Sequence, residues 1–229
     1  MLSRSELWLK NRCYTEEGPY LFPFFPNSHW KEANVFIIGL NPIDSFREEF
    51  DSFEHYWQAL TQYPEEFEKA YRKKRLQRKE ERSRTRKRIL ELIRRLAPLN
   101  VLVTNIFAYP AVSPNLIPRQ LKQEADEEKI ISHLITICKP RVLLFHGREA
   151  RLFANRYFNV ELNAYAKPRQ QQITAIIPGA TRPSSLFAYH HFVGRVEPHS
   201  VMEEDLKELA EQIHLRASQH SVYQEISSL

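Results

Sequence analysis

Two asparagines and one serine-bearing segment carry the polar chemistry of this 229-residue chain. Asn41 sits in Gly39-Leu40-Asn41-Pro42, directly after the apolar run Val35-Phe36-Ile37-Ile38. Asn105 closes a second run, Val101-Leu102-Val103-Thr104-Asn105. The third motif, Arg182-Pro183-Ser184-Ser185-Leu186, comes a few residues after the run 173–177. A side-chain amide both donates and accepts hydrogen bonds, as does a serine hydroxyl. Gathered in one crevice, such groups orient a water or read the polar edge of a ligand.

Strands and helices must bring them together. Short β-branched runs ended by Gly, Pro or Asn predict buried strands at about 35–39, 100–107, 141–145 and 172–177. Separations of several tens of residues suit parallel strands with helical crossovers, hence an α/β fold. In such a sheet, ligands bind beyond the carboxyl ends of the strands, where strand order reverses. Residues 46–96 read as helical, with Ile89, Leu92, Ile93 and Leu96 packing on the sheet and Pro98 ending the helix. Further helices are predicted over 121–138, from Gly147 through Ala154, and from a Ser200-x-x-Glu203 capping box to about Arg216. The third motif is expected in a loop after the fourth strand. The aromatic, Pro-rich segment before residue 34 is expected to cover the sheet, with a base-stacking platform as the alternative.

Bulk properties suit a single domain over 1–229, with its core at about 34–216 and a frayed tail at 218–229. No apolar run approaches the roughly 20 residues of a membrane helix, and the first ten residues lack a signal core. Two cysteines, Cys13 and Cys138, exclude a disulfide framework and an all-cysteine zinc or iron–sulfur site. An intracellular, cytoplasmic location without membrane contact is the expectation. The net charge of +5 is uneven: residues 72–95 hold 13 Lys or Arg against three Glu, and the remainder is net acidic. A solvated helix face is the plain reading of that run. So few interleaved acids favour contact with a polyanion such as nucleic acid.

Together the motifs resemble the uracil-DNA glycosylase superfamily. Gly39-Leu40-Asn41-Pro42 is similar to the first motif of its mismatch-specific and single-strand-selective branches. Val103-Thr104-Asn105-Ile106 is similar to the second, whose Asn binds the extruded base. The segment from Arg182 to Gly194 resembles the final His-Pro-Ser-Pro-Leu loop and the family's next few residues, and Pro140 to Gly147 resembles the third strand and its glycine turn. The likeness covers roughly residues 34–195. It implies a three-layer α/β/α fold around a four-stranded parallel sheet, and a monomeric enzyme acting on duplex or single-stranded DNA without metal or cofactor.

On that resemblance, Asn41 orients the attacking water and Asn105 reads the base, with Gly39, Leu40, Ile43 and Phe53 around it; Phe50 is an alternative stacking residue. Ser184 and Ser185 take phosphate contacts, and Leu186 is the wedge that fills the place of the flipped base. Arg182 departs from the usual His: it stabilises the leaving base, or binds a phosphate while the pocket loses a donor. The basic residues Arg84, Arg86, Lys87 and Arg88 are expected to supply affinity for DNA rather than choice of base. The implied activity is a monofunctional glycosylase that removes uracil or a modified base, in DNA repair or in defence against phage with modified bases. The alternative is a glycosylase-like fold that binds nucleic acid without catalysis.

Overall fold

The computed structural model describes residues 3–77, 84–163, 173–189 and 203–218. Five strands, β1 (Val35–Gly39), β2 (Val101–Asn105), β3 (Val142–His146), β4 (Thr174–Ile176) and β5 (Pro183–Tyr189), form one mixed sheet. Their order is β2-β1-β3-β5-β4. Pairing is parallel from β2 through β1 and β3 to β5, and β4 adds an antiparallel edge.

β1, β2 and β3 are apolar on both faces because both faces are covered. Phe36, Ile38, Leu102, Leu143 and Phe145 join one core. There they meet α1 (Arg4–Cys13), α2 (Phe53–Thr61), α3 (Pro64–Gln77), α6 (Ile130–Cys138) and α7 (Arg148–Phe158). Val35, Ile37, Val103, Val142 and Leu144 form the other core. That side is closed by α4 (Arg84–Leu96), through Ile89, Leu92 and Leu96, and by α8 (Glu203–Ser218), through Leu206, Leu209 and Ile213. The aromatic segment before β1 runs under the first core, where Phe24 is fully buried and Tyr56 donates its hydroxyl to the Leu21 carbonyl.

Several expectations are corrected by this arrangement. The strand expected over 172–177 is not the fourth parallel strand: residue 172 lies outside the described residues, and the strand found there, Thr174–Ile176, runs antiparallel at the edge. The fourth parallel strand is β5, which takes in most of the segment expected to be a loop. Pro183 opens that strand, a position where its missing N–H costs little. The Ser184 hydroxyl donates to the Pro140 carbonyl, and Leu186, Phe187 and Ala188 fill both cores. The helix expected over 121–138 is likewise broken, into α5 (Arg119–Gln123), a 3₁₀ turn at Asp126–Glu128 and α6. The helical reading of 46–96 breaks between α2 and α3, and its residues 78–83 lie outside the described residues, as do Ser200, His190 to Gly194 and the tail beyond Ser218.

Strand register sets the two ends of the molecule. Gly39 pairs with Asn105, Ile38 with Phe145, and His146 with Tyr189, so Asn105, Gly39, His146 and Tyr189 form a row along the carboxyl edge. Val101, Val35, Val142 and Ser185 form the matching row at the amino edge. Four strand residues separate the rows by ~13 Å.

Candidate functional site

A cleft of about 400 Å³ opens over the carboxyl ends of β1 and β2 and reaches His146 of β3. β1 has β2 on one side and β3 on the other, so strand order reverses there, where an open α/β sheet binds ligands. The floor holds Leu40, Asn41, Asn105 and His146. Phe22, Phe25 and Phe46 supply apolar wall, and Arg75 and Arg86 come from α3 and α4. Ile43 and Val112 stand at the rim, 51% and 72% exposed.

Gly39 makes the floor possible. A Cβ there would lie 2.8 Å from His146 Nε2 and 2.9 Å from Asn105 Oδ1, so both side chains close over the backbone only because none is present. The loops beyond the strands then stay zipped together. Ile106 N donates to Gly39 O at 2.9 Å, Phe107 N to Leu40 O at 2.9 Å and Ala111 N to Pro42 O at 2.8 Å.

The two asparagines use their amides differently. Asn41 Nδ2 donates to the Ala111 carbonyl at 2.7 Å and the Pro42 carbonyl at 2.8 Å. Both its protons are thus spent, and no described residue donates to Oδ1, which remains as an acceptor at the cleft. The Asn105 amide makes no side-chain hydrogen bond with any described residue and lines the cleft with a donor and an acceptor both unspent. A polar group half-withdrawn from water and left unmatched by protein is a natural partner for a ligand.

Charge is concentrated on the α3–α4 side. Arg86 stacks its guanidinium 3.6 Å from the Phe25 ring centroid, and Lys74 Nζ lies 5.6 Å from that of Phe46. Asp44, the one acid among the described lining residues, is buried and faces Arg75 Nη2 at 3.5 Å. At the far end of the row Tyr189 belongs to the α8 core. Burial, then the carboxylates of Asp205 and Glu208, push its phenol up, so it keeps its proton.

Of the residues picked from sequence, Gly39, Leu40, Asn41, Ile43 and Asn105 meet in this cleft. Arg86, expected among the basic residues that supply affinity for DNA, lines the same cleft. Lys87 is exposed and Arg88 half-buried on α4, and the side chain of Arg84 lies outside the described residues. Phe53 is elsewhere: it packs among Tyr14, Tyr20 and Tyr56, and Phe50 lies against Tyr56 and Phe67. The third motif is also displaced, because β5 is a strand and not a loop. Arg182 and Ser184 line a separate cleft of about 320 Å³ at the amino edge, with Lys139 and Arg141. Ser185 pairs with Val142 at that same edge. Leu186, expected as an exposed wedge, is 0% exposed inside the first core.

His146, Phe46, Asp44 and Arg75 are site residues that sequence reasoning passed over. For His146 a signal existed, since it ends the third apolar run as Asn105 ends the second. Among the described residues no group of His, Cys, Asp and Glu could hold a metal ion, and no helix is long and apolar enough to cross a membrane. No protein-family model matches the chain, and no curated protein matches it.

Proposed function

We propose that the protein is a DNA glycosylase of the uracil-DNA glycosylase type, which holds an extruded base in the carboxyl-edge cleft and hydrolyses its N-glycosidic bond. The observation that carries this is the pair of unspent amide groups on one apolar-walled floor: both sides of Asn105, and Oδ1 of Asn41. Asn105 can pair with the polar edge of a pyrimidine, which presents a donor and an acceptor side by side. Phe22 and Phe46 offer apolar surface to the ring. Asn41 Oδ1 accepts a hydrogen bond from the water that attacks the sugar carbon, and the proton this water sheds once its oxygen has bonded to the carbon passes through solvent to the departing base anion. As the C–N bond breaks, its electron pair leaves with the base, and donors preset in a dry pocket stabilise that charge. Arg86, a permanent cation, and His146 are the groups on hand for it. An amide is a weak base, so turnover is slow. Uracil and modified bases are both candidates, in repair or in defence against modified phage DNA.

The distance of Arg182 from this cleft favours a second reading, a nucleic-acid-binding module of the same fold without catalysis. The two separate on one experiment. DNA carrying uracil, mismatched thymine, hypoxanthine or glucosylated hydroxymethylcytosine is incubated with the protein, and abasic sites are revealed by alkali. Cleavage of one substrate, lost in Asn41→Ala, supports the enzyme. Salt-sensitive binding with no abasic sites on any of them supports the module.

A further inference from the structure

The carboxyl-edge cleft is roomier and more cationic than a single base requires. Cavities of ~300–1,000 Å³ enclose drug-sized ligands. A pyrimidine ring is much smaller than those, so about 400 Å³ leaves space beside it. The lining suggests what that space is for. It carries two arginines, Arg75 and Arg86, against one acid among the described residues, and that acid, Asp44, lies 3.5 Å from Arg75. Thr85, the residue before Arg86 on α4, adds a hydroxyl to the lining.

Arg86 is tied to the strand that ends in the base-reading amide. Its guanidinium carbon lies 3.6 Å from the Phe25 ring centroid, and Phe25 N donates to Val103 O at 2.8 Å. Val103 stands two residues before Asn105 on β2, and both line the cleft. Stacking engages the face of a guanidinium and not its in-plane fork of N–H groups, the part that matches a phosphate. A group suited to phosphate thus lines the same cleft as Asn105, while Lys87 lies outside, exposed on α4. We infer that the cleft seats one complete pyrimidine nucleotide, with the base on Asn105 and the 5′-phosphate on Arg86. Free pyrimidine deoxynucleoside 5′-monophosphates are then ligands of this protein, in competition with the same unit in DNA. This rests on reading the cleft as a base pocket. With Arg86 on the phosphate, His146 remains on hand for the departing base.

The test is calorimetric titration with the 5′-monophosphates of deoxyuridine, deoxycytidine and thymidine, and with the three nucleosides themselves. At least one monophosphate should bind about tenfold tighter than its nucleoside, the scale of one charge-assisted contact. Arg86→Gln should close that gap to within about twofold, and Arg86→Lys, which keeps the charge without the planar fork, should restore part of it. Arg182→Ala, in the separate amino-edge cleft, should leave the gap as it is. Thermal denaturation of each variant checks that it is folded. A gap that closes with Arg182→Ala and not with Arg86→Gln moves the phosphate to the other edge and overturns the inference. Equal affinity for monophosphate and nucleoside, or no bound monophosphate, overturns it too; if the same protein excises a base from DNA, the base pocket still stands. Failure to bind any of the six compounds, together with no excision, overturns both.

Discussion

The two edges of the sheet carry similar polar residues and put them to opposite uses. At the amino edge the groups are consumed by the fold. Ser184 Oγ donates to Pro140 O at 2.6 Å, Arg141 Nη1 to Ala217 O at 2.7 Å and Lys139 Nζ to Gly179 O at 2.7 Å. The bond from Arg141 places a cation where α8 ends, which suits the negative pole of that helix. At the carboxyl edge, Asn105 spends nothing on protein and Asn41 keeps its oxygen in reserve. Residue type therefore separates the two ends poorly. Hydrogen-bond satisfaction separates them well.

The largest expected effect that could break this contrast is at Asn41. If the cleft is the proposed glycosylase site, replacement by Ala removes the water's acceptor as well as the clamp on Ala111, and should lower the single-turnover rate about 100- to 1,000-fold. A variant that keeps its rate makes the carboxyl edge structural after all. Gly39→Ala comes next. Its Cβ must displace His146 or Asn105, so excision should drop with a stability loss of about 1–3 kcal/mol in denaturant titration. Normal activity there would mean that the floor is not the binding surface.

At the amino edge the pattern should invert. Ser184→Ala strands a buried carbonyl and costs about 1–3 kcal/mol of stability, with kcat unchanged in the folded fraction. Arg182→Ala should leave excision intact, and a large loss at constant stability would return the third motif to the reaction. The smallest effect is expected from Lys87→Ala with Arg88→Ala. If each touches a phosphate, the slope of log K against log salt flattens by about 2 units in binding isotherms, with the rate at saturation untouched.

Much of the positioning frame was legible in sequence. β1, β2 and β3 announce themselves as apolar runs ending in Gly, Asn and His, and they bring Gly39, Asn41 and Asn105 to one crevice as expected. β5 was not legible, because Arg182-Pro183-Ser184-Ser185 has turn composition. Only the partner at Pro140 O, some forty residues away in the chain, lets Ser184 lie buried in a strand. Phe53 and Phe46 are seven residues apart and equally aromatic. Which of them faces the cleft depends on how α2 and α3 pack, and that is decided by long-range contacts absent from any local pattern. His146 could be read as the end of the third run, and the register then sets it in one row with Gly39 and Asn105.

The two donor bonds of Asn41 also bear on how this site can change over generations. A carboxylate at that position would be a better base, and a single nucleotide change converts Asn to Asp. It would also turn an oxygen toward the carbonyls of Pro42 and Ala111, where the amide now offers protons. A faster chemical group would thus arrive together with a loosened loop. The amide at this position is held in place by the anchoring its nitrogen provides, and a lineage could exchange it only after securing Ala111 by other means.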